Sequence, residues 1–85
     1  MNPRMARKAR VFVTLKRGVL DPQGSAVGRA LHAMGYAEVE DVRLGKFIEL
    51  AIDEKAPEAE ERKRLEEMCK KLLANTVIED FRIEL

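Results

Sequence analysis

Apolar positions change period along the chain, and each change predicts an element. Arg10-Val-Phe-Val-Thr-Leu-Lys16 alternates and is rich in β-branched residues, so it predicts a first strand. Val11, Val13 and Leu15 share one face, Phe12 and Thr14 the other. Arg17 to Leu20 is a loop. Asp21 supplies an N-cap carboxylate and Pro22 a pre-set first helical position. Ala26, Val27, Ala30, Leu31 and Met34 then recur at helical spacing, and Gly35 stops the helix. Glu38–Leu44 predicts a second strand and Phe47–Ile52 a third, with Gly45-Lys46 as a two-residue hairpin turn between them. The alternative is one long bent strand from Val39 to Ile52, which favours pairing across subunits. Val39 and Val42 differ in parity, which a bulge accommodates. Pro57–Ala74 predicts a second helix with Ala59, Leu65, Met68, Cys69 and Leu72 as its core stripe. Glu58, Glu60 and Glu61 in its first turn and Lys70 and Lys71 in its last complement the helix dipole. Glu58–Arg62, Glu60–Arg64, Glu66–Lys70 and Glu67–Lys71 are acid-first pairs four residues apart. Asn75 is placed to end the helix in the left-handed region, and Val77–Leu85 forms the last strand.

The order β-α-β-β-α-β predicts an α+β, ferredoxin-like two-layer sandwich: a four-stranded antiparallel sheet with two helices on one face. The opposite face is not purely polar, since Phe12, Phe47 and Ala51 lie on it. Apolar residues on both faces of so small a sheet predict completion by dimerisation. Residues 9–85 form a single domain, and Met1–Lys8 a flexible basic arm.

Length and charge remove several functions. A chain of 85 residues has one modest core and no room for two lobes around a cleft. Lys plus Arg is 16 against 15 for Asp plus Glu, so nucleic acid and membrane lack the basic excess they favour. From Arg4 to Arg17 there are six basic residues and no acidic one, which reads as a solvated arm and edge strand. One Cys permits no internal disulfide and suits a reducing cytosol, so a cytoplasmic protein is expected. With a single His, Cys69 cannot build the usual zinc site. No apolar run approaches the roughly 18 residues of a membrane span.

Candidate motifs are few. Gly24-Ser-Ala-Val-Gly28 spaces small residues for close packing of the first helix on the sheet. Gly45-Lys46 lacks the upstream glycine of a phosphate-binding loop. His32 has no nucleophile at a suggestive spacing and reads as a surface helix histidine, while Cys69 reads as a buried small hydrophobe. Alternation separates Glu79 from Asp80 across the last strand. No nucleophile, base and oxyanion donor assemble, so no catalytic, cofactor-binding or metal residues are assigned.

Three segments resemble one family. They are Val13-Thr-Leu-Lys-Arg-Gly-Val-Leu-Asp-Pro-Gln-Gly-Ser-Ala-Val-Gly-Arg-Ala-Leu31, Val42-Arg-Leu-Gly-Lys-Phe-Ile-Glu-Leu50 and Cys69-Lys-Lys-Leu-Leu-Ala-Asn-Thr-Val-Ile-Glu-Asp-Phe81. Together they resemble the small subunit (PurS) family of phosphoribosylformylglycinamidine synthase, over about residues 9 to 84. Thr76 stands where members usually carry Pro, and Phe81 where Tyr is common.

The resemblance implies an accessory subunit of a ligase in purine biosynthesis. The family's complex converts formylglycinamide ribonucleotide, glutamine and ATP into formylglycinamidine ribonucleotide, glutamate, ADP and phosphate. It implies that ATP and magnesium sit on a large synthetase subunit, and that a glutaminase subunit releases ammonia. The small subunit then bridges these two as a homodimer or tetramer and supports ammonia transfer. An amino-acid-binding regulatory domain of the ACT type is the alternative, because it shares the element order. An RNA-binding sheet fares worse, since its third strand would offer only Phe47 for stacking. Docking is expected on two loops: Arg17, Gly18, Val19, Leu20, Asp21 and Pro22, and then Arg43, Gly45 and Lys46. Val19 and Leu20 are the expected anchors, with Arg43 and Lys46 as steering charges.

Overall fold

The computed structural model describes residues 6–53 and 56–85. Three strands form one antiparallel sheet: β1 (Ala6–Leu15), β2 (Gly45–Asp53) and β3 (Glu79–Glu84), in the order β2-β1-β3. The alternating segment is central because both of its edges are paired. Val11 faces Ile48 on one side and Ile83 on the other. Its inward residues Ala9, Val11 and Val13 are buried. Helix α2 (Glu58–Met68) packs against β3 and seals that face with Leu65, while Ile48, Leu50, Phe81 and Ile83 remain partly buried around the core. Complete burial of a residue such as Val11 or Leu65 contributes about 1.5–3 kcal/mol.

Helix α1 (Pro22–Ala33) starts and stops where its capping residues direct. The Asp21 carboxylate accepts from the Gly24 amide at 2.9 Å. Gly35 follows the helix at φ +101°, a conformation that a side chain would strain. The stripe Ala26, Val27, Ala30 and Met34 is nonetheless exposed, with Leu31 half-buried. The helix does not lie on the sheet as α2 does. It lies along residues 39–44, where Gly24 and Gly28 both face Val42. The small-residue spacing therefore permits close packing against an extended segment instead of the sheet.

The expected second strand, Glu38–Leu44, joins no ladder: Glu38 lies in a turn and residues 39–44 have no regular secondary structure. Its physical reason lies in register. Thr14–Gly45 is the last pair between β1 and β2, β1 ends one residue later at Leu15, and its other edge belongs to β3, so residues 38–43 have no strand left to pair with. Gly45-Lys46 is not a hairpin turn but the beginning of β2. Glycine is required there because a Cβ would lie 2.4 Å from the Val13 carbonyl oxygen. The described sheet thus has three strands, and neither the hairpin nor a single strand from Val39 to Ile52 is formed, since the strand begins at Gly45. Strand β1 also begins earlier than Arg10. Arg7 and Lys8, expected in the basic arm, pair with Ile52 and Ala51; Met1–Met5 lies outside the described residues.

The second helix departs from its expected end. After Met68 the backbone widens into a π-turn, Cys69–Leu73, closed by the Ala74 amide donating to the Cys69 carbonyl at 2.9 Å. A regular helix would have aligned Leu65, Cys69 and Leu72. The wider turn brings Leu73 and Ala74 to the core and leaves Leu72 83% exposed. Ala59 is also exposed and Met68 half-buried, so Leu65 and Cys69 carry the inward face. Asn75 does not adopt the left-handed conformation. Its carbonyl accepts from the Ile78 and Glu79 amides, and its side chain from Val77, which makes the turn into β3. Arg62 donates to the Ile83 carbonyl at 3.3 Å, tying the helix to β3. No helix among the described residues is long and apolar enough to cross a membrane.

Candidate functional site

The two candidate loops meet at one end of the sheet, beside the start of β2. Asp21 is the joint between them. One carboxylate oxygen accepts from Gly24 and the other from the Leu44 amide, both at 2.9 Å, so one side chain fastens α1 to the lead-in of β2. The two amides hold its carboxyl below the ordinary carboxylate range, the Gly24 bond most strongly; the Arg43 charge adds to this, while burial works against it. Arg43 donates to the carbonyls of Leu15 and Lys16 at 2.9 and 3.0 Å, clamping the end of β1. Lys46 lies 4.0 Å from Glu79. Between these groups is a shallow hollow of about 290 Å3 lined by Val13, Gln23, Leu44 and Glu79 among others.

The nine expected interface residues therefore divide. Asp21, Arg43 and Gly45 are engaged in holding the loops together. Pro22 opens α1, and Gly18 turns the loop at φ +87°. Arg17 is exposed, Val19 half-buried and Leu20 79% exposed. Among the described residues, the first loop presents Leu20 and a cation, Arg17, outside any ion pair, whereas the cations of the second loop are engaged and its Leu44 is less exposed than Leu20.

Sequence reasoning missed two other surfaces. The first is the lobe made of α1 and residues 36–44. His32 Nε2 donates to the Val39 carbonyl at 2.5 Å and holds it together, while Val27, Met34 and Tyr36 remain exposed. The second is the π-turn with the Asn75–Ile78 turn, where Leu72 and Val77 are 83% and 81% exposed. It adjoins the first loop, because the Lys16 amide donates to the Ile78 carbonyl at 2.8 Å. The sequence offered no distinct signal for this surface, since two adjacent leucines about 100° apart can share one apolar stripe.

The outer face of the sheet is a cross-strand mosaic. Phe12 stacks on Phe47 with centroids 5.1 Å apart, and the Arg82 guanidinium lies 4.3 Å above the Phe12 ring. Arg10 pairs with Glu49 at 3.8 Å, Lys16 with Asp80 at 2.7 Å, and Arg82 with Glu84. Its charges are largely met within the chain. Cys69 is sealed in the core, where burial, and secondarily Glu66, raises the thiol above its ordinary range. Among the described residues no three His, Cys, Asp or Glu side chains gather as metal ligands.

Comparison with known proteins is consistent across the whole fold. The family model for PurS, phosphoribosylformylglycinamidine (FGAM) synthase, matches residues 8–85. The PurS subunit of phosphoribosylformylglycinamidine synthase from Bacillus subtilis is 57% identical over 77 residues, covering 91% of this chain and 89% of that protein. Its counterpart from Methanocaldococcus jannaschii is 46% identical over 77 residues, covering 91% and 92%. Among solved structures, the C2 crystal form of B. subtilis PurS superposes with a TM-score of 0.79 over 91% of this chain and 94% of that one. A chain in the structure of PurLQS from Thermotoga maritima, 28% identical, superposes at 0.82 over 91% and 93%. An ACT-type regulatory domain finds no support in these comparisons.

Proposed function

The chain belongs to the PurS family of phosphoribosylformylglycinamidine synthase subunits, in purine biosynthesis, and from that premise we propose that it is the non-catalytic bridge of its synthase. It joins the large synthetase subunit to the glutaminase subunit, supports the passage of ammonia between them, and does so as a homodimer. ATP and magnesium belong to the large subunit, and the complex is cytoplasmic.

The observation that carries this reading is the unfinished α1 lobe. An amphipathic helix leaves its apolar stripe in solvent, and a lead-in segment extends past the end of β1 without a ladder. The radius of gyration is 16.7 Å, where a compact chain of this length would have about 12 Å. A second copy can supply what is missing: a cover for the Val27–Met34 stripe and a strand edge for residues 39–44. The polar groups suited to chemistry are spent on structure. Asp21 holds two backbone amides, His32 holds Val39, and Cys69 fills the core. The similar chain in PurLQS supports a place in a larger assembly.

The test is reconstitution. The pure chain should scatter light at twice its 9.7 kDa mass or more, show no glutaminase or ATPase activity, and be required for glutamine-dependent turnover by the mixed subunits. A monomer at micromolar concentration, or full turnover without it, would refute the proposal.

A further inference from the structure

The end of the sheet opposite the start of β1 gathers the most exposed aliphatic side chains of the closed half. Leu20, Leu72 and Val77 are each about four-fifths exposed. Leu20 projects from the 16–20 loop, Val77 from the 75–78 turn and Leu72 from the π-turn that leads into it; the Lys16 amide, donating to the Ile78 carbonyl, fastens the loop to the turn. This exposure is not a defect of the core. Leu65, Cys69 and Ala74 already close it, and the π-turn sends Leu72 outward while Leu73 packs inward.

The segment that carries Leu72 and Val77 has charge of one sign. From Cys69 to Ile78 the chain carries Lys70 and Lys71 and no carboxylate. Arg17 adds a third cation from the neighbouring loop. Among the described residues none of the three forms an ion pair, whereas Lys16 and Lys46 are matched by Asp80 and Glu79. Of the carboxylates around this segment, Asp21 caps α1, Asp80 pairs with Lys16, Glu79 also accepts from the Asn75 amide at 2.7 Å, and Glu66 and Glu67 belong to α2, one turn earlier.

We infer that this end face, with Leu20, Leu72 and Val77 as anchors and Arg17, Lys70 and Lys71 as rim, docks a different subunit of the synthase through apolar sockets edged by carboxylates. The inference rests on the bridging role proposed above and names its surface. A second copy is the wrong occupant on electrostatic grounds. A two-fold contact would lay the patch against itself and oppose three unmatched cations with three more. The α1 lobe, by contrast, offers an unfinished fold for a copy to complete: an exposed apolar stripe and a segment, 39–44, outside the ladder.

Three variants are compared with wild type in the reconstituted complex: Leu72→Ala with Val77→Ala, Lys70→Glu with Lys71→Glu, and Val27→Asp in the lobe. Each is measured for mass by light scattering, for its circular dichroism melt, and for affinity to the other subunits at two salt concentrations. The alanine pair should keep the wild-type mass and melt yet bind the other subunits about tenfold or more weakly. The glutamate pair should also keep its mass, bind more slowly, and lose most of the salt dependence. Val27→Asp should lower the mass. Wild-type affinity for both end-face variants, or loss of dimer mass in either, would overturn the inference. Failure of the wild-type chain to join the complex would overturn the bridging role and the inference with it.

Discussion

The two helices of this chain are both amphipathic, yet only one packs its apolar residues on the sheet. Helix α2 sets Leu65 into the sheet at no exposure, while α1 leaves Val27 39% exposed and Met34 more so. Their ends are made differently as well. α1 has Asp21 bonded to its Gly24 amide and Pro22 at its start; α2 begins at Pro57 with no side-chain cap. The helix with local support stands away from the sheet, and the one lacking a side-chain cap is held by burial. Local signals therefore established where a helix forms, and tertiary packing decided what it covers.

The contrast can be broken from either side, and the largest effect should come from the packed side. Leu65→Ala should cost about 2–5 kcal/mol of stability in urea melts, because the fully buried side chain leaves a cavity beneath the sheet. Next comes the seam of the open lobe. Gly24→Ala places a Cβ 2.4 Å from the Val42 carbonyl oxygen and 2.6 Å from Asp21, so residues 39–44 must shift. It should cost about 1–3 kcal/mol, with faster amide exchange confined to residues 21–44. Gly28→Ala should do the reverse on the same helix. Its Cβ would meet Val42 at an ordinary 3.6 Å, so the gain in helix propensity, about 0.5–1 kcal/mol, should appear as a higher melting point.

The smallest effect is that of acid on the joint between the halves. The folded-state carboxyl of Asp21 lies below its unfolded value of about 3.9. Its stabilising contribution is therefore complete above that value and is lost as pH falls through the lowered folded one. An NMR titration should show the Gly24 and Leu44 amides moving together with the Asp21 carboxyl below about pH 4. Asp21→Asn should abolish that shared titration.

Legibility followed the same division. The bounds of α1 could be read from Asp21-Pro22 and Gly35 because capping is local. Leu65 and Cys69 could be read as core because both sit on one face of a regular helix. The fate of Glu38–Leu44 could not be read, since it depends on where β1 runs out, a fact of register between distant segments. Gly45 looked like a turn residue when its reason was the Val13 carbonyl across the ladder. Leu72 looked like core because a helical wheel has no means of anticipating a π-turn. Among the candidate loop residues, charge alone could not tell Arg43, clamped on two carbonyls, from Arg17, which stands free of ion pairs.

The placement of β1 between its two neighbours bears on how the chain is made. Synthesis delivers β1 first, then β2, and only much later residues 79–84, whose ladder occupies its other edge. Until that stretch leaves the ribosome, Arg10 to Leu15 carries an open row of amides and carbonyls, and the apolar residues that α2 and β3 will cover face water. Such an edge is a template for the same segment on a neighbouring nascent chain. The alternating positive charges at Lys8 and Arg10 are then a safeguard for the seconds of translation and early folding as much as a surface of the finished subunit, because copies of that edge repel one another before the last strand arrives.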